Sequence, residues 1–443
     1  MKSFRDVIQY LEGQDRLQHV KKEVDPEYEL VAAAIEIYKQ LGKAALFENV
    51  KGSSFPVVSH ILADRSVVAL SLNMDPALLT HQWSEREAHK SHCDTVSEGP
   101  CQEVVRLDPD LNELPLCIHS TGDAGRYLTG GAVLALHPIG LRHNASYNRC
   151  QLAGKDKLRI RMMPPQHLGL CQQAAEERDQ ALACAIVVGA PPSLMFSAAS
   201  KIPFERDELE FAGALSGVPL EVVKCKTNNV LVPANAEMVI EGRVLPHVRE
   251  IEGPFGEFTD TVVPANHNHV FQVDAITHRK DAYFHDIYPA NDEDMNLLSL
   301  PIESEIFNHI RKYARVEDIK EVLARPFVFG AFIKIKKQSD MQVRSIVASA
   351  LTSYAWTQFV VVVDDDVNIH DANDVIWAIQ TRCSPDTGVI SLPGIGSYTR
   401  EDIVDENIGK FGIDATVPMN KRDIYKRRQN PYYGKIKLDY YTK

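Results

Sequence analysis

The chain has 443 residues, 44% of them hydrophobic and 24% charged, a composition that excludes disordered, collagen-like and coiled-coil classes. At 49.6 kDa it is too long for one ordinary core and predicts two or three domains. Lysine and arginine total 48 against 60 aspartates and glutamates, and the resulting net charge of −12 argues against a nucleic-acid or anionic-membrane partner.

Residues 1–98 read as an N-terminal α/β region. Ser3 is placed to cap a helix over residues 4–11, with Gly13 just past its end. Asp25 and Pro26 open a second helix, with Leu30, Ala34, Ile37, Tyr38 and Leu41 on one stripe and Gly42 as its stop. Residues 44–50 and 55–59 have strand character. No apolar h-region precedes them and no run reaches the length of a membrane span. The eight cysteines form no CxxC pair, which fits reduced thiols and a cytoplasmic protein.

Residues 99–295 change texture. Strand-like runs at 131–136, 156–162, 183–188, 220–223, 238–244 and 269–276 follow one another, broken by turns and by one helix over 166–179. Closely spaced strands of this kind predict a barrel or sandwich. Residues 296–443 return to βα alternation, with helices over 303–315 and 342–356. The β-branched run 359–363 reads as a buried parallel strand. Asp371 caps a helix over 372–383, and the basic, tyrosine-rich last twenty residues read as a surface tail or docked arm.

The glycines of Gly394-Ile395-Gly396 lack the third glycine of a dinucleotide loop and are a weak phosphate signal. The run Asp364-Asp365-Asp366 reads either as a cation site or as a strand end followed by an acidic turn. The middle third is richer. Glu252-Gly253-Pro254-Phe255-Gly256-Glu257 is a rigid turn that would hold two carboxylates close together, as a general acid working near neutral pH requires. Phe255 inside it argues against a purely solvated loop. Arg149 lies in a segment of little net charge and needs an acidic partner if buried. Asn144, His167 and Glu208 form an acceptable oxygen and nitrogen ligand set for Mn²⁺ or Mg²⁺, and His167 falls at a predicted helix start.

The order Asn144-x4-Arg149, Gln166-His167, Glu208-x2-Phe211-Ala212-Gly213, Val232-Pro233-Ala234-x-Ala236-Glu237-x3-Glu241-Gly242 and Glu252-Gly-Pro-Phe-Gly-Glu257 resembles the UbiD family of reversible (de)carboxylases. Ile276-Thr277-His278-Arg279, Asp374-Val375-Ile376-Trp377-Ala378 and Gly412-Ile413-Asp414-Ala415-Thr416 extend the match over nearly the whole chain. The resemblance implies a central split β-barrel that binds prenylated FMN and a C-terminal α/β domain that carries oligomer contacts. It implies Mn²⁺ at the cofactor phosphate, K⁺ nearby, and a separate flavin prenyltransferase as cofactor source. Carried over by motif, Asn144, His167 and Glu208 are the metal and phosphate ligands. Ala145, Ser146, Tyr147, Asn148, Arg149 and Gln166 line the cofactor. Arg149, Glu252 and Glu257 form the catalytic network, and Met162, Met163 and Phe258 lie beside it as a candidate apolar wall.

Pro164-Pro165-Gln166-His167 departs from the Ser-His-Arg-Gly type stretch of the ubiquinone-pathway members and points to small unsaturated or aromatic acids. The implied function is reversible, non-oxidative decarboxylation of an aromatic or heteroaromatic acid by a homo-oligomer, dimer or hexamer. Two alternatives stand beside it: a decarboxylase of an α,β-unsaturated, cinnamate-type acid, and a non-catalytic scaffold subunit.

Overall fold

The structure is a computed structural model that describes residues 1–443 apart from 141, 163, 397–407, 429, 433–434, 438–439 and 442–443. Met163 therefore lies outside the described residues. The chain divides into two compact units, Met1–Ser304 and Glu305–Lys443. Among the described residues no helix is long and apolar enough to cross a membrane.

In the first unit, Ser3 caps the helix Phe4–Gly13 in a reciprocal capping box with Asp6, and Gly42 ends the helix Glu29–Leu41 at a φ of +65°. Both helices pack beside a small sheet of Leu17–Val20, Ala44–Phe47, Val57–Ser59 and Phe284–His285. The larger element is a nine-stranded antiparallel sheet. Its order is Tyr127–Leu128, Cys150–Leu152, Lys157–Ile160, Asn266–His278, Met238–Glu252, Leu182–Val188, Gly131–Leu136 and His143–Tyr147, with Val104–Arg106 on the outer half of Asn266–His278.

The apolar run Leu182–Val188 shows why both faces of this sheet are covered. Alternation sends Ala185 and Val187 into one core, shared with the helices Phe4–Gly13, Pro192–Ala199 and Glu208–Ser216. Cys184, Ile186 and Val188 enter a second core with Leu30, Phe47 and Val57. Met162 is buried in this second core, so it serves packing. All eight cysteines are unbridged, six of them buried.

The second unit is a five-stranded sheet, ordered Ile319–Leu323, Gly330–Ile335, Phe359–Asp364, Ile408–Ala415 and Val389–Gly396. Phe359–Asp364 runs parallel to both neighbours and is buried, as the β-branched run predicts. Asp371 caps the helix Ala372–Arg382. Gly394 and Gly396 belong to the strand Val389–Gly396. Asp364 is taken up by Arg382 at 3.0 Å, Arg422 at 3.4 Å and the Val417 N–H at 2.7 Å. Asp366 pairs with Arg382, so arginines rather than a cation balance the acidic run. The chain's basic end docks in part, with the Arg427 guanidinium 4.4 Å from the Trp377 ring and paired with Asp374.

One tie holds the helix His167–Glu176 to the long strand Met238–Glu252. Glu176 accepts from Arg249 at 2.8 Å, Gln172 at 2.9 Å and the His247 N–H at 3.0 Å. Partial burial pushes this carboxyl up, but the hydrogen bonds and the Arg249 charge outweigh it and bring it down to about 2. A depressed carboxyl adds stability above its unfolded value and loses it as pH falls through its folded one. Glu176→Gln should lower the melting temperature at pH 7, and the gap to the parent should close between roughly pH 4.5 and 2 in thermal scans. A gap that stays constant over that range would show that the Glu176 charge does not hold this tie.

Candidate active site

Two clusters of polar side chains form in the first unit. The first begins with His143, the first residue of the strand His143–Tyr147. Its N–H and its Nδ1 both meet Asp207 Oδ2, at 2.7 and 3.1 Å, while its Nε2 accepts the Leu231 N–H at 3.1 Å. That pattern fixes the ring with Nδ1–H donating to Asp207. Asp207 also caps the helix Glu208–Ser216 through the Leu209 N–H. The next residues on each element are thereby brought together: Asn144 Nδ2–H donates to Glu208 Oε1 at 3.0 Å. His167, the first residue of its helix, places Nδ1 3.4 Å from the same oxygen.

So Asn144, His167 and Glu208, separate in sequence, converge on one carboxylate. Glu208 is 2% exposed, and burial holds its carboxyl above the usual range against the hydrogen bonds from His167 and Asn144. Asn144 Oδ1 is buried with no hydrogen-bond partner. A buried carboxylate, an orphaned amide oxygen and an imidazole nitrogen make an O/O/N donor set that fits a divalent cation such as Mn²⁺.

The second cluster is built around Arg149, which follows the strand His143–Tyr147. Its Nε and Nη2 donate to the two oxygens of Glu252, each at 2.9 Å, and its Nη1 donates to Glu257. The guanidinium carbon lies 5.0 Å from the centre of the Phe255 ring. The turn between Glu252 and Glu257 thus wraps one cation with a carboxylate at each edge and an aromatic face between them. Burial opposes the Arg149 charge, and the Glu252 hydrogen bonds with the Glu257 and Glu252 charges overcome it and push the pKa up.

The two carboxylates differ. Glu252 is fully buried and also accepts from the Tyr127 hydroxyl at 2.9 Å and Asn268 Nδ2 at 2.8 Å. Burial and the Glu252 charge push the Tyr127 phenol well up, so it stays a donor. Glu252 is therefore saturated as an acceptor. Glu257 is 16% exposed, and Arg161 Nη1 lies 3.3 Å from its Oε1.

The remaining sequence candidates distribute as follows. Ala145 is buried in the first core. Ser146 donates to Asn148, which donates to the Arg161 carbonyl, at 2.7 and 2.8 Å. The Tyr147 hydroxyl is buried without a partner, and Phe258 is half-buried. Gln166 is exposed and makes no capping bond. Sequence reasoning missed His143, Asp207, Tyr127, Asn268 and Arg161. Of these only Asp207 carried a local signal, as an N-cap residue before Glu208-Leu209-Glu210.

A further buried group, Cys117, His119 and Asp286, has ligand atoms within 4.8 Å of one another. Its carboxylate is already engaged by His119 Nε2 at 2.9 Å and Thr129 Oγ1 at 3.3 Å.

Family models for the N-terminal, Rift-related and C-terminal domains of 3-octaprenyl-4-hydroxybenzoate carboxy-lyase match residues 8–87, 94–292 and 295–415. The chain is 31% identical over 427 residues to an anhydromevalonate phosphate decarboxylase of Methanosarcina mazei, covering 96% of this chain and 98% of that one. Among solved structures it is similar to the UbiD-class enzyme HmfF from Pelotomaculum thermopropionicum in complex with FMN, with a TM-score of 0.93, 34% identity and coverage of 99% and 100%. An evolved dimeric form of HmfF in complex with prFMN gives a TM-score of 0.90 at 34% identity, covering 100% of both chains. The 3,4-dihydroxybenzoic acid decarboxylase of Klebsiella pneumoniae gives 0.88 at 26% identity, covering 98% and 99%. With three consecutive domain models matched and both chains covered end to end in these likenesses, the chain belongs to the UbiD family of carboxy-lyases.

Proposed function

We propose that this chain removes CO₂, reversibly and without net oxidation, from an aromatic or heteroaromatic carboxylic acid, using prenylated FMN supplied by a flavin prenyltransferase. The observation that carries the reading is the Arg149 guanidinium held between Glu252 and Glu257. The complexes of HmfF with FMN and prFMN support the cofactor, and the 3,4-dihydroxybenzoic acid decarboxylase supports the substrate class.

Bound prenylated FMN supplies the electron sink that no side chain offers to a ring carbanion. Asn144, His167 and Glu208 would hold a Mn²⁺ ion at the cofactor phosphate, where it offsets charge in an acidic protein. K⁺ accompanies the same reading.

The chain's own residues do the rest. Arg149 uses Nε and one N–H from each Nη on the glutamates, so one N–H on each Nη is left to grip a substrate carboxylate. Glu252, saturated by four donors, keeps the guanidinium in place. Glu257, the more exposed of the two, gives its proton to the carbon that CO₂ leaves and regains one from solvent. A homo-oligomer, dimer or hexamer, goes with this reading, as does a cytoplasmic location.

The second reading, an α,β-unsaturated acid as substrate, is favoured by the curated relatives, whose names carry anhydromevalonate phosphate rather than an aromatic acid. A panel of acids given to holoenzyme co-produced with a flavin prenyltransferase tests both. CO₂ should be released from a monocyclic aromatic or heteroaromatic acid. Release from cinnamate-type or aliphatic unsaturated acids alone would replace the first reading by the second, and no release at all would leave the scaffold reading.

Glu257→Gln, loaded with mature cofactor, should turn over roughly 10²- to 10⁴-fold more slowly, as expected when a general acid is removed, and should exchange deuterium into the product carbon in D₂O more slowly by a similar factor. Parent-like turnover and deuteration would remove Glu257 as the acid. Glu208→Ala should lose manganese and flavin together in elemental analysis and absorbance spectra; a variant that keeps its metal would show that Glu208 is not a ligand.

A further inference from the structure

The turn that carries Glu252 and Glu257 does not stand alone. Behind it runs the loop of residues 118–127. Asp123 lies in that loop with its side chain 0% exposed. Its Oδ1 accepts the Gly256 N–H at 2.8 Å and the Ser120 hydroxyl at 3.2 Å. Its Oδ2 accepts the N–H groups of His119 and Ser120, both at 2.9 Å. The Ala124 N–H donates to the Pro254 carbonyl at 2.9 Å, and the Tyr127 hydroxyl lies 3.3 Å from that same oxygen.

The contact is close-packed as well as hydrogen-bonded. A Cβ on Gly256 would lie 2.8 Å from Ser120 Oγ, with Asp123 Oδ1 next at 3.5 Å. Position 256 is glycine because the loop comes this near. One buried carboxylate therefore fixes the backbone of the residue immediately before Glu257, and does so from a different segment of the chain.

We infer that Asp123 is a positioning residue for the proton-donating turn. By holding the Gly256 N–H it sets where the Glu257 carboxyl sits relative to the Arg149 guanidinium and the reacting carbon. This inference rests on the reading of Glu257 as proton donor. Asp123 has no oxygen to offer a substrate, because both are taken by backbone and hydroxyl donors. Without it the Gly256 N–H loses its acceptor, while the turn is still held by the Ala124 and Tyr127 contacts on Pro254, by the pairing of Phe255 and Gly256 with Val263 and Val262, and by the Glu257 N–H bond to the Thr261 carbonyl at 3.0 Å. A displacement of about an ångström at a proton-transfer group is enough to cost on the order of 10²-fold in rate.

The test is a double-mutant cycle on holoenzyme, with flavin content checked in every variant. Asp123→Ala should lower kcat by roughly 10- to 100-fold, with KM and flavin content within about twofold of the parent. The Asp123→Ala/Glu257→Gln enzyme should be no slower than Glu257→Gln alone, because Asp123 acts only through that carboxyl. Parent-like turnover of Asp123→Ala beside a disabled Glu257→Gln would overturn the positioning role and leave the acid assignment standing. Losses that multiply, or a loss of flavin or a rise in KM, would show a general structural role and also overturn it. Parent-like turnover of Glu257→Gln would instead overturn the acid assignment and this inference with it.

Should Asp123→Ala not fold, a second pair of variants tests the same contact. Gly256→Ala drives a methyl group against Ser120 Oγ and should slow turnover. Gly256→Ala/Ser120→Ala removes the obstructing oxygen and should recover roughly tenfold or more in kcat. No recovery would overturn the proposed clasp between loop and turn.

Discussion

The buried ion pair of Arg149 and Glu252 is the constraint on which the rest of the site depends. A guanidinium and a carboxylate removed from water cost more than their mutual attraction returns unless every donor and acceptor is met. Here Glu252 meets the condition with Arg149, Tyr127 and Asn268, and Arg149 is covered by Phe255. Those partners come from four separate segments, so the pair is formed only when the central sheet closes correctly around it. On the proposed function, such a pair serves the chemistry of the guanidinium with the donors it has left.

The other cluster uses the same logic with weaker forces. His143 and Asp207 join a strand start to a helix start, and the residues that follow them, Asn144 and Glu208, meet as a result. Glu208 meets Asn144 and His167, and burial still holds its carboxyl up. This cluster leaves Asn144 Oδ1 without a partner, whereas the carboxylate at the centre of the Arg149 cluster is fully met.

Much of this was legible in the sequence for identifiable reasons. The capped helices at Ser3 and Asp371, the glycine stop at Gly42 and the buried strand at Val360–Val363 obey local rules that tertiary structure did not override. The turn from Glu252 to Glu257 was readable because Gly-Pro-Phe-Gly dictates its own shape. Tyr127, Asn268 and Asp123 were not readable, because each acts across more than a hundred residues or from a neighbouring strand, and its role depends on register. Gln166 is exposed rather than packed at the cluster, and Met162 is core. Both stand beside residues that join the two clusters, Arg161 and His167, so motif order alone could not tell packing or exposure from contact. The strand of Gly394 and Gly396 shows the converse: a glycine pair with phosphate-loop spacing lies in an edge strand.

If the Arg149–Glu252 pair is kept for chemistry and tolerated by the fold, stability and activity must come apart when it is dismantled. The decisive measurement is the urea midpoint and CO₂ release of Arg149→Met beside those of Arg149→Met/Glu252→Gln. The single variant strands a buried carboxylate and should lose about 3–5 kcal/mol. The double variant removes the stranded charge while keeping hydrogen bonds for Tyr127 and Asn268, and should recover most of that loss while remaining inactive. A double variant as unstable as the single one, or one that still releases CO₂ at the parent rate, would contradict the account.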